Sequence, residues 1–446
     1  MRFAMKSSKF TPEIEFFFKN TTIFFLLLTV FSCSGQIKSE KEAFLQENNI
    51  EKPLLPGANR TETYLPWLVG QKVGIVTNQT GVIFKPYISH TIKSVMDRQT
   101  GEMLEVYRQE WKYDRHTHLV DSLSSLGVQI VRVFAPEHGF RGTADAGEIV
   151  KDGKDVKTGL PIVSLYGKNK KPTPEQFKDL DIVIFDIQDV GARFYTYIST
   201  LHYVMEACAE AGIPLVILDR PNPNIHYIDG PILEKEYTSF VGMHPIPVVH
   251  GLTIAEYAQM VNGEKWLENG VQCKLMIVPV AEYNRTKSYS LPINPSPNLP
   301  NDKSINLYPS TCFFEGTILS EGRGTDMPFQ VFGAPFLPKE KYTLKFTPKS
   351  NSGSKNPKFN GQLCYGQNLR NTPDLSRLNL SWLIEAYNNT PDKTTFFTSF
   401  FNTLAGNNTL QQQIKLGMSE EEIRATWQPG LEAFDTLRRK YLIYTE

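Results

Sequence analysis

Side chains that can transfer protons or bind hydroxyl groups follow several short apolar runs of this 446-residue sequence. Glu137 and His138 come directly after the run Val128–Pro136, and Asp186 lies near the end of Asp181–Gln188. Carboxylates and imidazoles serve as general acids and bases, whereas amides, tyrosines and guanidinium groups bind oxygen-rich ligands. The candidates in this part of the chain are Asn78, Gln79, Glu137, His138, Arg141, Asp186, Asp189, Arg193, Tyr195 and Arg220.

The apolar runs that must position these residues are short and rich in valine and isoleucine, which is typical of strands buried on both faces. Helical patterns separate them, and this alternation predicts an α/β protein with a Rossmann-like parallel sheet. In an open parallel sheet, ligands bind beyond the carboxyl ends of the strands. We therefore expect the candidates to share one edge of the sheet. The predicted strands are 72–78, 128–136, 162–166, 181–188 and 214–220, and the predicted helices are 117–126, 173–180 and 200–211.

The sequence divides into a signal segment (1–33), a tether (34–64), the Rossmann-like domain (65–272) and a C-terminal domain (273–446). Within the C-terminal domain, residues 291–338 contain too many turn residues for a regular layer, and helices are predicted towards the end of the chain. Within the Rossmann-like domain, charged and aromatic residues at 84–116 interrupt the alternation of strands and helices. We interpret that segment as an inserted loop or helical flap.

The N-terminal segment contains the apolar run Ile23–Phe31, which is too short to span a bilayer but has the length of a signal-peptide core. Ser32 and Cys33 follow it, and a small residue before a cysteine resembles the site where bacterial lipoproteins are cleaved and lipidated. We expect an exported lipoprotein, periplasmic or at the cell surface, that contacts the membrane only through Cys33. A plain secretory signal and a retained membrane helix are the alternatives. The other cysteines form no CxxC pair and are interpreted as buried small apolar residues.

Several classes of protein are disfavoured by the sequence. Forty-seven basic residues balance 47 acidic ones, so no overall basic field favours nucleic acid as a partner. The sequence has no GxGxxG, P-loop, HExxH or GxSxG motif, so we expect neither a nucleotide cofactor nor serine-hydrolase chemistry. His116 and His118 form the pattern HxH in the insertion, where solvated histidines are commoner than ligands. No cofactor and no metal are therefore predicted.

The remaining polar set suits a sugar ligand. Amides and carboxylates bind sugar hydroxyls, and glycoside hydrolysis uses an acid that protonates the leaving oxygen together with a second group. Glu137 is the best acid candidate, because Pro136 fixes its approach at the end of a buried strand. The alternatives are that Glu137 caps a helix or pairs with Arg141. His138 can act in proton transfer, orient Glu137 or serve only the fold.

Several ordered blocks of the sequence resemble the bacterial exo-β-N-acetylmuramidase family, which was long catalogued as a domain of unknown function. The resemblance covers about residues 65–445. The blocks are Asn78–Val82 (NQTGV), His118–Leu123, Phe134–Glu148 (FAPEHGFRGTADAGE), Phe185–Leu201 (FDIQDVGARFYTYISTL), Leu218–Asn224, Asp229–Glu234, Val249–Glu264, Pro295–Asn301 (PSPNLPN) and Phe313–Phe336.

The resemblance implies an exo-acting glycoside hydrolase that removes β-1,4-linked N-acetylmuramic acid from the non-reducing ends of peptidoglycan fragments. It also implies a smaller α/β C-terminal domain and an active site in the cleft between the two domains. The motif places the acid at Glu137, and the C-terminal block adds Glu315, Glu321, Arg323 and Asp326. Asn298 of PSPNLPN is a further substrate-binding candidate. The expected partners are muramyl saccharides derived from peptidoglycan.

The 3-O-lactyl carboxylate of muramic acid would be recognised by a guanidinium group. Our order of candidates is Arg323, Arg193, Arg141 and Arg220, with Asp326 expected to orient the first. The second catalytic group is open among Asp186, Asp189, Glu315 and Glu321, and so is the choice between retention, inversion and assistance by the substrate acetamide. A non-catalytic peptidoglycan-binding lipoprotein, or a cell-wall hydrolase of other specificity, is the alternative function.

Overall fold

The computed structural model describes residues 52–96, 103–141 and 152–445. The predicted signal segment with Cys33, and most of the predicted tether, lie outside the described residues. The chain separates into two compact units, of which the larger comprises Pro53–Ser89 and Trp111–Glu446. The described part of the smaller unit consists of Lys52 and of strand residues within 90–110. None of the helices within these described ranges is long and apolar enough to cross a bilayer.

Short helices and strands follow one another along the chain. In chain order they are α1 (Thr61–Leu68), β1 (Lys72–Thr77), β2 (Val82–Phe84), β3 (Tyr87–Met96), β4 (Met103–Lys112), β5 (His116–His118), α2 (Leu119–Ser125), β6 (Gln129–Ala135), β7 (Gly153–Lys154), β8 (Pro161–Ser164), α3 (Pro174–Phe177), β9 (Ile182–Asp186), α4 (Tyr197–Ala211), β10 (Leu215–Leu218), α5 (Ile254–Gly263), β11 (Leu275–Val278), α6 (Asp302–Thr311), β12 (Val331–Ala334), β13 (Leu344–Phe346), β14 (Cys364–Asn368), α7 (Ser381–Asn389), α8 (Phe400–Ala405), α9 (Thr409–Lys415), α10 (Glu420–Ala425) and α11 (Gln428–Arg438).

A seven-stranded sheet in the order β11-β10-β9-β1-β6-β8-β7 forms the centre of the larger unit. All its neighbouring strands pair in parallel except the short edge strand β7. This confirms the predicted α/β class with a Rossmann-like sheet. The register aligns Thr77 with Asp186 across β1 and β9, so both strands end at the same level. The polar residues that follow these strands therefore emerge at one edge.

Both faces of the sheet are buried, which explains the continuous apolar runs. Alternate residues enter different cores: Phe134 and Phe185 pack on the side of α4 and α5, whereas Val133 and Ile184 pack on the side of α1 and α2. Ala58 and Tyr64 belong to the latter core and are fully buried. The segment from residue 53 to 64, which was predicted to belong to a tether, is therefore part of the folded body.

The C-terminal part contains the antiparallel sheet β12-β14-β13 and the helices α6 to α11. Its apolar side chains continue the core on one face of the central sheet. Strand β11 pairs with β10, so the central sheet extends past the predicted boundary at residue 272. Helix α6 and strand β12 lie within 291–338, where no regular layer was predicted, because the turn-rich composition concealed two short elements.

The interpretation of the insertion as a loop or helical flap is wrong. Strands β3 and β4 form one two-stranded sheet, and β2 and β5 form another. The sequence Tyr87–Met96 (YISHTIKSVM) contains several β-branched residues and no glycine or proline, a composition that favours a strand. His118 is also not a solvated loop residue: its Nδ1 accepts from the backbone N–H of Val120 and caps α2, and burial lowers its pKa to about 4.

The described cysteines Cys208, Cys273, Cys312 and Cys364 are buried and carry no disulfide. The interpretation of these residues as small apolar side chains is therefore confirmed. Burial raises the pKa of each of Cys208, Cys312 and Cys364, which keeps these thiols protonated and chemically inert.

Candidate active site

A cleft of about 680 Å³ lies beyond the carboxyl ends of the central strands. Its volume is within the range of roughly 300–1,000 Å³ that is usual for small-ligand sites. The loops after β6, β8 and β9 line one part of it, and residues 240, 241, 296 and 299 together with the C-terminal residues from α6 onward line the rest. Its polar and aromatic lining includes Glu137, His138, Tyr166, Lys170, Tyr195, Thr196, Phe240, Tyr308, Glu315, Arg323 and Phe329.

Glu137 occupies a tight turn directly after β6. The backbone N–H of Gly139 donates to the carbonyl of Pro136 at 3.0 Å and closes this turn. The hydroxyl of Thr196 donates to Oε2 of Glu137 at 2.7 Å. Tyr166 is also hydrogen-bonded to Glu137, and its pKa is raised by burial and by the nearby carboxylate. Two hydroxyl groups thus orient the predicted acid within the cleft.

His138 lines the cleft with a backbone that is rare for its residue type. Its φ is +67°, in the left-handed region that normally favours glycine, and its side chain is only 4% exposed. Such a backbone costs about 1–3 kcal/mol and persists when the surrounding structure enforces it. The turn therefore presents Glu137 and an imidazole to the cleft together.

Aromatic side chains build the wall next to Glu137. Tyr195 packs edge-to-face on Tyr197 and Tyr308, with ring centroids 4.8 and 5.9 Å apart, respectively. The hydroxyl groups of Tyr195 and Tyr197 both donate to the carbonyl of Pro295, at 2.9 and 3.3 Å. The rings are fixed at both ends, so this wall offers a rigid apolar surface of the kind that covers one face of a sugar ring.

The C-terminal half contributes Glu315 and Arg323. Nε and one terminal nitrogen of Arg323 donate to Oε1 of Glu315, at 3.0 and 2.6 Å, and Nε is 3.5 Å from Glu321. Lys358 also pairs with Glu321, at 3.2 Å. Burial lowers the pKa of Arg323, but the two carboxylates raise it by more, so the net pKa lies above the usual value. Asp326 is exposed, and Glu315 takes the orienting position that was predicted for Asp326.

Asp186 and Arg220 form a buried pair outside the cleft. The guanidinium donates to both carboxylate oxygens, at 2.6 and 2.9 Å, and also to the carbonyl of Val82. Burial raises the pKa of Asp186, and Arg220 opposes this shift only in part. The pair joins the ends of β9 and β10, and neither residue lines the cleft, which favours a structural role for both.

Two further arginine candidates bind protein groups. Arg193 is fully buried and donates to four backbone carbonyls, two of which belong to Leu404 and Ala405 at the end of α8. Burial lowers its pKa to about 9. Arg141 pairs with Asp155, at 2.8 and 3.2 Å, and with Asp121, at 3.4 Å, whereas the sequence had left a pairing with Glu137 open.

The predicted amides support the loops of the site. Nε2 of Gln79 donates to the carbonyls of Asn294 and Pro295, at 3.2 and 3.1 Å, and Nδ2 of Asn298 donates to that of Gly353 at 2.6 Å. Oδ1 of Asn78 accepts two bonds from Thr80, of 2.9 and 2.6 Å.

Asp189 likewise lies outside the cleft lining. It is buried, and its Oδ2 accepts from the backbone N–H of Gly191 at 2.7 Å, within a turn after β9. The placement of these residues is thus established, while the roles assigned from the sequence stay predictions. The predicted residues that line the cleft are Glu137, His138, Tyr195, Glu315 and Arg323, whereas Asn78, Gln79, Arg141, Asp186, Asp189, Arg193, Asn298, Glu321 and Asp326 do not.

Several residues that line the cleft were not predicted from the sequence. Tyr166 and Lys170 are in the loop after β8, and the rule that ligands bind beyond strand ends would have selected them. Thr196 directly follows the candidate Tyr195, and its hydroxyl donates to Glu137. Phe240 and Tyr308 come from segments with no strand-end signal.

The fold and this cleft, with carboxylates among aromatic side chains, are typical of an α/β glycoside hydrolase. Residues 73–303 match the N-terminal domain and residues 306–444 the C-terminal domain of the family described as exo-β-N-acetylmuramidase NamZ. The chain belongs to this family.

Individual relatives agree with the family match. A Bacillus subtilis protein named peptidoglycan β-N-acetylmuramidase NamZ is 39% identical over 85% of this chain and 89% of its own length. Two crystal structures of DUF1343 family proteins from Bacteroides fragilis are similar to this structure. One has a TM-score of 0.75 at 42% identity and the other 0.71 at 28%, and each match covers 89% of this chain and all of the other.

Proposed function

We propose that this protein is an exo-acting glycosidase that releases β-1,4-linked N-acetylmuramic acid from the non-reducing ends of peptidoglycan fragments. Family membership and the name of the Bacillus subtilis relative support this function. The observation that carries the proposal is that Glu137 and Glu315, from the two halves of the chain, line one cleft. Glycoside hydrolysis generally requires two such groups.

Glu137 serves as the general acid. It donates its proton to the oxygen of the scissile bond while the bond from that oxygen to the anomeric carbon breaks, and water supplies the hydroxyl group of the released sugar. The hydroxyl of Thr196 fixes one carboxyl oxygen at 2.7 Å. Tyr166 provides a second contact on the same side chain. Both contacts hold the carboxyl group in one orientation, as efficient proton transfer requires.

Glu315 serves as the second group, at the anomeric carbon. Arg323 binds only its Oε1, whereas the contact of Oε2 among the described residues is the sulfur of Cys312 at 3.9 Å. Oε1 of Glu315 thus pairs with the positive charge of Arg323, and Oε2 is available to the substrate. Arg323 is a positioning residue in this scheme, because it acts through Glu315.

The test of the function is a comparison of chromogenic β-N-acetylmuramide and β-N-acetylglucosaminide substrates. We expect release of the chromophore from the muramide and little from the glucosaminide. Glu137→Gln keeps the shape but removes the proton, so kcat on the muramide should fall by roughly 10²–10⁴-fold while the melting temperature is maintained. The matched control is Glu175→Gln, an exposed position in the first turn of α3. A folded Glu137→Gln protein with normal turnover would contradict the assignment, and a wild type that binds the muramide without cleaving it would favour a binding protein.

We further propose that Cys33 is lipidated and that the enzyme works outside the cytoplasm from a membrane anchor. Support comes from the sequence alone, namely the apolar run Ile23–Phe31 followed by Ser32 and Cys33. The multiple acyl chains of a lipoprotein anchor more stably than one chain. Mass spectrometry of the mature N-terminus should find an acylated Cys33, and Cys33→Ala should move the protein out of the membrane fraction. An unmodified N-terminus well beyond Cys33 would refute this proposal.

A further inference from the structure

The muramyl substrate brings a carboxylate into the cleft, on the lactyl group at C3. A buried or half-buried carboxylate needs a cationic partner. Among the described residues that line the cleft, two carry a fixed positive charge, Arg323 and Lys170. The other arginine candidates lie outside the cleft and bind protein groups.

The charge of Arg323 is already compensated. Two of its nitrogens donate to Glu315, and Glu321 lies 3.5 Å from Nε. A substrate carboxylate at this position would add a third anion to one guanidinium, next to Glu315. Because like charges repel strongly in a partly buried site, this position is unfavourable for the lactyl group.

Lys170 is in a different electrostatic situation. Its ammonium lies over the ring of Phe240, 4.6 Å from the centroid, and no carboxylate within the described ranges forms an ion pair with it. A cation–π contact contributes about 0.5–1 kcal/mol and leaves ammonium hydrogens free to donate elsewhere. Lys170 is half-buried, so a carboxylate that binds it is partly shielded from water.

The surroundings of Lys170 fix its position. The next residue, Lys171, binds Glu206 at 3.1 Å and Glu210 at 2.7 Å on α4, and these two contacts anchor the loop. The ring of Phe240 also packs on Tyr166, with centroids 6.2 Å apart. Tyr166 in turn contacts Glu137. A chain of contacts therefore links the cation to the catalytic acid through two aromatic rings.

We propose that Lys170 binds the carboxylate of the muramyl substrate, and specifically its free lactyl carboxylate, and so determines specificity for muramic acid over glucosamine. This inference rests on the proposed function and adds the residue that recognises the substrate. A carboxylate of an attached peptide stem has the same chemistry, but the lactyl group is then an amide. The two sources can therefore be distinguished with defined substrates.

The experiment uses Lys170→Met, Lys170→Arg and, as a matched control, Lys168→Met, which removes an exposed charge from the same loop. Each protein is assayed on the chromogenic muramide and on the same sugar with its lactyl carboxylate converted to a methylamide. Lys170→Met should raise KM about 10-fold or more on the free acid, with kcat within about 3-fold of wild type, and should leave KM on the methylamide unchanged. Lys170→Arg should stay within about 3-fold of wild type on both, and Lys168→Met should match wild type.

The outcomes separate this inference from the proposed function. Suppose that wild type cleaves the muramide. If Lys170→Met then has the same KM as wild type on it, or if its KM rises equally on the free acid and the methylamide, the assignment to Lys170 is wrong while the function stands. If Lys170→Met weakens only a muramide that carries a peptide stem, the residue reads the stem and the lactyl assignment is again wrong. If wild type cleaves neither substrate, the function itself fails. If Lys170→Met does not fold, Lys170→Gln replaces it. A tenfold rise in KM on the free acid but not on the methylamide supports the assignment, and no such rise overturns it.

Discussion

Two carboxylate–guanidinium ion pairs lie in different parts of this molecule. In Asp186–Arg220 the side chains are 0% and 2% exposed, and the guanidinium occupies both carboxylate oxygens. In Glu315–Arg323 they are 22% and 20% exposed, and the guanidinium occupies one oxygen only. The first pair has no free acceptor at a surface, whereas the second offers a carboxylate oxygen to the cleft. Exposure and the number of occupied oxygens, rather than residue type, distinguish the structural pair from the one suited to catalysis.

The largest expected effect is on stability, at the buried pair. Asp186→Asn leaves the charge of Arg220 buried without its counter-ion, so the free energy of unfolding should fall by about 3–5 kcal/mol. Denaturant unfolding measures this loss. The matched variant Glu315→Gln, in the partly exposed pair, should lose less stability, about 1 kcal/mol, because Glu321 stays 3.5 Å from Arg323 as a counter-charge, while its turnover falls sharply. Equal losses of stability in the two variants would show that the distinction between the pairs is wrong.

A smaller effect is expected from Arg323→Lys, which keeps the charge at the cleft but loses the two-nitrogen contact with Glu315. The catalytic efficiency kcat/KM should fall by about 1–3 kcal/mol, which is roughly 5- to 150-fold. Because Glu315 acts at the anomeric carbon of any substrate, the loss should be the same for the free lactyl acid and its methylamide. A loss confined to the free acid would mean that Arg323 recognises the carboxylate, as first expected from the sequence.

The sequence predicted the sheet well because its signal is local. Runs such as Ile182–Asp186 are buried on both faces and therefore continuously apolar, and strand ends mark where a ligand can bind. The insertion was misinterpreted because its many charged residues were given more weight than its β-branched residues. The end of the tether was misplaced because Ala58 and Tyr64 reach the core from a segment rich in proline and glycine.

The site was harder to predict, because whether a polar residue faces the cleft depends on partners far away in the sequence. Arg193 and Arg323 both follow glycine-containing turns, yet the first binds carbonyls 211 and 212 residues away and the second lines the cleft. Lys170 belongs to no recognised motif. It becomes a candidate only because the structure shows that the arginine candidates already bind carboxylates or carbonyls of the protein. Strand-end position identifies candidates, and the balance of charges in the fold decides among them.

A third ion pair, Arg141–Asp155, tests whether partial exposure alone is enough to make such a pair catalytic. Arg141 is 33% exposed and Asp155 only 5%, and the pair does not line the cleft. Burial raises the pKa of Asp155, but hydrogen bonds from Arg141 and Thr158 lower it by more, to about 2. We expect Asp155→Asn to reduce the free energy of unfolding by about 1–2 kcal/mol at pH 7 and to leave turnover unchanged.

The pH dependence of that loss follows from the direction of the pKa shift. Because the folded-state pKa is below the unfolded value of about 3.9, the charge of Asp155 stabilises the fold above pH 4, and this contribution disappears as the pH falls towards 2. Urea unfolding of wild type and Asp155→Asn at pH 7, 4 and 3 should therefore show a difference that shrinks with acidity. A difference that persists unchanged at pH 3 would assign the loss to the neutral contacts with Thr158 instead of the charge. A fall in turnover would show that this pair, like Glu315–Arg323, influences the cleft, and exposure would then no longer separate structural from catalytic pairs in this fold.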